Sequence, residues 1–580
     1  LKRPAFYYFL LFMILLGGLL LRFWQLDSKP LWLDEVLTAL FSLGQSQQDV
    51  PLNVFFPLTA LDRIFSIQPG ISCAQITQTV ATESVHPPLF FCLLYGWMNW
   101  LQPDNWVWGL RSLPALFGVG AIAALYWLNR VAFSPRAGLI GAALMAVSPF
   151  AVYLSQEARH YTLPMLLITL ALVGLVKMQQ DLVTDRLRAW VWLGWCGVNS
   201  IGIYTHYFCM IAFIAQVLAL LGWMLWQRSR LGWQSWWAIG LAIGGVWLSY
   251  LPWLPTLINH FSRPETDWLI PYKPDWQDRI APLYQTLVNW MLMVIVLPVE
   301  DQPDRVVLGW GIVGLVFASW LGWQLYRGWR MRWQQVPFRS PMLLLSGFTL
   351  GVVLQFFAVV YLLDKDLTVV PRYNFVYYPG VCALLGACLT GRGEQRTRNR
   401  KQGMKNSWAG DGLLPPVIIV LVASLLSSFL VVNGVVFQKS YHPDRVARTM
   451  AFEPDRSLVA VTAYESLQEV ALGLSFALEL QKLYSTTTID SQVRFGFLDR
   501  SDGYGAVWRA FPDLEQPLPL PLNLWVVASP GMRTKDYPER LRINDRDTPR
   551  RKALCRVDPD RFERIGFPYQ LFRCESRRSS

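Results

Sequence analysis

Charge is scarce in this sequence. Asp, Glu, Lys and Arg supply only 16% of the 580 residues, whereas 53% are hydrophobic and Trp alone occurs 28 times. That balance excludes an ordinary soluble enzyme and suits a polytopic membrane protein with polar extensions. The eight Cys include no CxxC pair and form no zinc ligand set. Cys92, Cys196, Cys209, Cys382 and Cys388 lie in apolar runs and read as small core residues, while Cys73, Cys555 and Cys574 lie in polar segments. No internal repeat occurs. The net charge of +12 does not point to nucleic acid, because no basic stripe with interleaved aromatics lies outside short loops.

Long apolar runs are what the chain has in abundance. A run of about 17–25 residues crosses the hydrocarbon core. Eleven are expected to span: 6–24, 109–128, 137–154, 161–177, 189–205, 207–226, 236–255, 307–326, 341–363, 371–390 and 413–437. The first is longer than a signal-peptide core and has no A-x-A site nearby, so it reads as a retained span. Two further runs, 87–101 and 281–298, are ambiguous. The segment "GRGEQRTRNRKQGMK" (391–405) carries six bases and one acid and is expected in the cytoplasm. Every other basic loop agrees if neither ambiguous run crosses, with the N-terminus inside and the C-terminus outside. Residues 87–101 then read as an interfacial helix, and 281–298 as lying along or dipping into the outer face. The expected outer loops are 25–108 and 256–306, and 391–412 reads as a disordered cytoplasmic loop.

After Phe437 the character changes. "RSLVAVTAYES" and "LNLWVVASPG" read as buried strands and "LQEVALGLSFALELQKL" as a helix, so 438–580 is expected to be a small extracytoplasmic α/β domain following a transmembrane module over 1–437. No Gly-rich loop opens its helix, and no nucleotide is expected there. Cys555 and Cys574, nineteen residues apart in a compartment read as oxidising, are candidates for a disulfide.

Polar clusters gather on the expected outer face: Asp34 and Glu35 in "LWLDEVLTAL"; His86 in "SVHPPLF"; Arg111; Glu157, Arg159, His160 and Tyr161 in "SQEARHY"; and Arg372, Tyr373 and Asn374 in "VVPRYNFVYYPG". His206, in "IYTHYF", joins them. Ionisable groups at membrane depth are costly and usually face a polar cavity or one another. Each has a structural alternative: Asp34 and Glu35 can cap a helix, Arg111 can snorkel, Glu157 and Arg159 can pair, His86 can mark a turn, and Arg372 with Tyr373 can anchor the interface. The functional alternative is more specific. A carboxylate can act as general base on a hydroxyl or amine, and Arg beside Tyr can hold a phosphate. Base plus phosphate clamp at a bilayer surface suggests group transfer from a lipid phosphate.

In order and spacing these motifs, with "LRSLPALFGVGAIAALYWLNR" and "SPRAGLIGAALMAVSPFAVYLSQEARHYTL", resemble the type C glycosyltransferases over roughly residues 1–390. The nearest resemblance is to the protein O-mannosyltransferases and the lipid A aminoarabinose transferase. His86 stands where the aminoarabinose branch has a Lys, and the mannosyltransferase branch carries His-Pro-Pro. The resemblance implies a polyprenyl-phosphate-sugar donor and a lipid, glycan or protein acceptor on the outer side of a cell membrane. It implies Asp34 as the base, Glu35 in support, and Arg111 and "SQEARHY" lining or bracing the site. The expected enzyme is an inverting glycosyltransferase with His86, Arg111, Glu157, Arg159, Tyr161, His206, Arg372 and Tyr373 around the donor. Because the leaving group is already anionic, it needs a cationic clamp and in principle no metal. The competing reading is a transporter or flippase. That predicts two similar halves with broken spans and midplane polar residues, whereas the clusters here sit at span ends on one face.

Overall fold

The computed structural model describes residues 3–263, 269–270, 275–401, 415–484, 493–513, 518–544 and 552–575. They fall into two compact units, one of 1–26, 84–90 and 103–437, the other of 27–83, 91–102 and 438–580.

The first unit is helical, as long apolar runs must be where no water is present to satisfy the backbone. Among the described residues seven helices are long and apolar enough to cross a membrane: Ala5–Phe23, Trp106–Ala132, Thr162–Thr184, Phe208–Trp226, Trp233–Phe261, Asp304–Trp333 and Val336–Leu362. These match seven of the eleven expected spans. The expected span 137–154 is instead two helices, Pro135–Ala146 and Pro149–Ser155, bent by 60°. The remaining three are shorter helices: Ala189–Thr205, with 17 residues, the apolar part Tyr378–Thr390, and Pro416–Val432. The run expected to begin at 371 starts as a 3-10 segment, Pro371–Val376, and becomes α-helical only at Tyr378. That helix continues to Lys401, into the stretch read as disordered; 402–412 lie outside the described residues. The ambiguous 281–298 run forms a helix over Trp276–Leu292 that is not among the seven.

The bend at 146–149 has a visible cause. Arg22, fully buried near the end of the first helix, donates from Nη1 to the carbonyls of Gly18 and Ala146, from Nη2 to Met145, and from Nε to Ser155 Oγ. A guanidinium thus satisfies the carbonyl end of Pro135–Ala146, where the helix dipole favours a cation. Ser148 then caps the next helix by accepting from Ala151 N–H, with Pro149 at its first position. Gln156 Nε2 donates to the Trp24 carbonyl at 2.9 Å and fixes the turn that follows. Gly118 leaves room for this arrangement: a Cβ there would lie 2.2 Å from Ser155 Oγ. Elsewhere Asn129 joins three helices, donating to Ala137 and Ala383 carbonyls, with Gly141 and Gly386 allowing the close approach.

The second unit is α/β. Among the described residues its seven strands are β1 (Phe55–Pro57), β2 (Ser457–Tyr464), β3 (Val493–Asp499), β4 (Leu522–Val527), β5 (Arg540–Asn544), β6 (Lys552–Ile565) and β7 (Phe567–Cys574), in the order β1-β3-β2-β4-β7-β6-β5. β2 is parallel to β3 and β4, and every one of its residues is buried. Both strands and the helix expected from the sequence are present at 457–464, 522–527 and 467–484. The sequence division at 437 leaves out a contributor: β1, from the first long loop, pairs antiparallel with β3 through Phe55↔Gly496. A Cβ at Gly496 would meet the Phe55 ring at 2.6 Å, so this edge requires a glycine.

The same unit holds "LDEVLTALFS" as a helix, Leu33–Ser42, packed against the helix Leu467–Tyr484. Val36, Ala39 and Leu40 are completely buried. This explains two acids in an apolar stretch: the stretch is a core helix, and Asp34 and Glu35 occupy its first turn, where carboxylates oppose the helix dipole. Tyr441 rather than an acidic cap receives the Leu33 N–H, at 2.7 Å. Cys555 and Cys574 face each other across β6 and β7 and are bridged, as expected. Cys92 departs from expectation: it is not a free core residue but is bridged to Cys73, joining helix Cys73–Glu83 to the helix Leu89–Leu101, which at 13 residues is too short to span.

Candidate functional site

Four connections of the first unit carry the polar side chains. In the first, His86 is followed by two prolines, which keep 84–88 out of helix before Leu89. The second is the tight turn 156–161, where Arg159 N–H donates to the Glu157 carbonyl at 2.7 Å before helix Thr162–Thr184 begins. The third joins helices Ala189–Thr205 and Phe208–Trp226; His206 is extended there and its Nδ1 accepts from Phe208 N–H at 3.0 Å. The fourth is the 3-10 segment Pro371–Val376. It is braced by Asn374, which donates to the Pro371 carbonyl and accepts from the Tyr377 hydroxyl.

These connections meet. The His160 ring lies 4.7 Å from that of His86, 4.6 Å from that of His206 and 4.8 Å from that of Tyr161. Arg159 Nη2 is 3.3 Å from His86 Nε2, and its guanidinium carbon is 5.6 Å from the centre of the Tyr161 ring. Arg372 donates from Nε to the Tyr161 hydroxyl at 3.1 Å. Tyr373 turns its ring edge-on to Phe208 at 4.9 Å, and Phe375 packs against His206 at the same distance. Arg159, His160, Tyr161 and His206 are buried; His86, Arg372 and Tyr373 are half-buried.

Arginine only donates, so His86 Nε2 accepts and the ring proton sits on Nδ1. His206 Nδ1 accepts from backbone, so its proton sits on Nε2. Both assignments are neutral imidazoles. Burial is the main force pushing His86, His160 and His206 well below the ordinary histidine range, and Arg159 adds to it in all three. The cluster therefore holds its positive charge on two arginines and presents the imidazoles as polar, uncharged groups. Because the folded pKa values are depressed, the folded protein binds fewer protons than the unfolded chain below about pH 6.5. Stability is complete above that value and is lost as pH falls, by about 1.4 kcal/mol per pH unit for each imidazole that stays neutral. Thermal unfolding of the protein in detergent is expected at a lower temperature at pH 5 than at pH 7.5. His206→Gln should flatten that dependence, and a flat wild-type profile would refute the neutral cluster.

The other predicted residues lie elsewhere. Asp34, half-buried, and Glu35, 1% exposed, belong to the second unit. Arg111, also 1% exposed, donates from Nη1 to the Leu26 carbonyl at 2.9 Å and braces the end of the first span. Glu157 is buried within the 156–161 turn but makes none of the ring contacts above. His160, at the centre of the cluster, and Phe375 did not stand out as individual site residues. The usable signal was the rarity of histidine, five in the whole chain, with three at connections between helices of one unit.

Residues 85–254 match the model of the dolichyl-phosphate-mannose-protein mannosyltransferase family. No curated protein matches the sequence. Among solved structures, ArnT from Cupriavidus metallidurans bound to undecaprenyl phosphate is 13% identical, with 89% of this chain and 92% of that chain covered at a TM-score of 0.50. The same protein in the apo state is 12% identical, with coverages of 85% and 88% and a TM-score of 0.47. The apo oligosaccharyltransferase of Archaeoglobus fulgidus is 12% identical, with coverages of 82% and 64% and a TM-score of 0.45. At such identity the first structure speaks for fold. With the family match, which spans His86, Arg111, Glu157, Arg159, Tyr161 and His206, it bears out the resemblance read from the sequence: this is a membrane protein of the type C glycosyltransferase fold, similar over 85–254 to the mannosyltransferase family.

Proposed function

We propose that this protein transfers a sugar from a polyprenyl-phosphate donor to an acceptor hydroxyl or amine on the extracytoplasmic face of a cell membrane, with inversion at the anomeric carbon. One observation carries the reading: two arginines, two tyrosines and three uncharged histidines from four separate connections converge in the helical unit. Two fixed cations among neutral donors suit a phosphate dianion. In the step proposed, the acceptor oxygen or nitrogen bonds to C1 as the C1–O bond to the phosphate breaks. The electron pair leaves with the polyprenyl phosphate, which needs no proton, and the acceptor proton passes to a carboxylate base, the role that the resemblance gives Asp34. Arg159, Arg372 and Tyr161 hold the phosphate, Glu35 supports the base, and Arg111 and Glu157 brace the surrounding turns. The orientation that goes with this has a cytoplasmic N-terminus, with the helical unit in the membrane and the α/β unit of 27–83, 91–102 and 438–580 extracytoplasmic. The relative that shares the fold was solved with undecaprenyl phosphate bound, and that lipid is the natural probe. The purified full chain in detergent is expected to bind it saturably, and deletion of the gene to change the lipid-linked sugars or surface glycans seen by mass spectrometry. A protein that ignores the lipid, and a deletion strain with unaltered glycans, would together overturn the reading.

A further inference from the structure

Three of the five histidines form the cluster described above, and a fourth, His260, lies in the same unit on helix Leu254–Phe261. It is 3% exposed. Its Nδ1 is 2.7 Å from the Tyr207 hydroxyl, and that hydroxyl accepts from the indole N–H of Trp253 at 3.1 Å. An indole only donates, so the arrangement that uses each atom once sends the Tyr207 proton to His260 Nδ1. Tyr207 follows His206 directly: one turn aims one side chain into the cluster and the next at the 251–261 segment. Two residues past that helix, Arg263 donates from Nη1 to the carbonyl of Ser84 at 3.0 Å, two residues before His86. The contacts close on themselves. They run from His86 to Ser84, across to Arg263 and His260, across to Tyr207 and His206, and back to His86 through its ring, tilted against that of His206 at 6.0 Å.

We propose that Tyr207, His260 and Trp253, together with the Arg263–Ser84 bond, are positioning residues. They bracket the His86 and His206 turns so that the cluster meets a polyprenyl-linked phosphate in one arrangement. The inference rests on the donor reading above and names groups outside the family-resemblance motifs. Neither turn has regular secondary structure of its own to fix it, and partly buried hydrogen bonds that tie both turns to the 251–263 segment are a means of holding two irregular segments in register. The Tyr207–His260–Trp253 chain is more than apolar packing, because it fixes the direction of each bond.

The test separates the hydrogen bond from the packing. Tyr207→Phe keeps the ring and removes only the hydroxyl. His260→Leu removes the acceptor, while His260→Gln offers an amide oxygen in its place. For the full chain in detergent, the Kd for undecaprenyl phosphate is expected to rise about fivefold or more in Y207F and in H260L, the scale of one neutral hydrogen bond. The double variant should be no worse than either single one, and H260Q should stay within about twofold of wild type. A merely structural role predicts instead that the loss follows thermal stability and that H260Q behaves like H260L. Unchanged affinity in Y207F, or equal loss in H260Q and H260L, overturns the proposal. Should either variant fail to fold, Arg263→Leu tests the other leg of the bracket: weakened binding supports the proposal, and wild-type binding overturns it. Failure of the wild-type protein to bind the lipid would instead remove the donor reading itself.

Discussion

Asp34→Asn should abolish sugar transfer while leaving a folded, membrane-inserted protein. Asp34 is the second residue of helix Leu33–Ser42 and is half-buried. Its charge opposes the helix dipole, so neutralising it costs roughly 0.3–1 kcal/mol of local stability. The rest of the helix is held by Val36, Ala39, Leu40 and Phe41, which the substitution does not touch. An amide of the same shape cannot take a proton from the acceptor, and the loss of a general base lowers rate by about 100- to 10,000-fold. Glu35→Gln is expected to cost less, since the resemblance gives Glu35 a supporting role. The measurement is turnover on a lipid-phosphate-sugar, alongside size-exclusion and thermal profiles of the same preparations. Near-normal turnover in Asp34→Asn would remove Asp34 as the base.

Arg372→Ala should weaken donor binding far more than acceptor binding. The residue sits in the Pro371–Val376 segment, whose shape is fixed independently by Asn374 and Tyr377, so truncation leaves the backbone in place. A charge-assisted bond to phosphate is worth roughly 1.5–3 kcal/mol, which corresponds to about a 10- to 150-fold rise in donor Kd. The Tyr161 hydroxyl, which accepts from Arg372 Nε, also loses its orienting partner. Arg372→Lys should recover only part of the affinity, because a point charge does not reproduce the planar fork. An unchanged donor affinity in Arg372→Ala would move the clamp to Arg159. Acceptor affinity falling as much as donor affinity would count against a phosphate role altogether.

What could be read from the sequence was what depends on local pattern. Apolar runs of sufficient length announced the spans, and β-branched runs bounded by breakers announced β2 and β4. The polar turns 156–161 and 371–376 stood out because charge at the end of an apolar run is unusual. What was hidden depends on partners far along the chain. β1 is three residues long, and its meaning lies in a strand beginning at Val493. Cys92 sits in "PPLFFCLLYGWMNWL", where apolar neighbours disguise a disulfide partner. The break at 147–148 was masked because the run stays apolar across it; only Arg22, itself inconspicuous at the end of the first span, reveals which carbonyls are left over. His260 and Tyr207 belong to separate segments, and no spacing rule links them.

The pairing of β1 with β3 has a consequence for how the protein is made. Residues 55–57 leave the ribosome early, and their partners, 494–496, come more than four hundred residues later, after every expected span has been synthesised. At about 5–20 residues per second the interval is roughly 20–90 s. Until Leu467–Tyr484 is made, near the end of that interval, the helix Leu33–Ser42, whose Val36, Ala39 and Leu40 end up fully covered, lacks that helix to pack on. The Cys73–Cys92 bridge needs only the first hundred residues and can close at once. The nascent chain therefore carries an exposed apolar helix and an unpaired strand through the whole of membrane integration. A chain halted before Leu467 exposes that surface whatever the state of its spans.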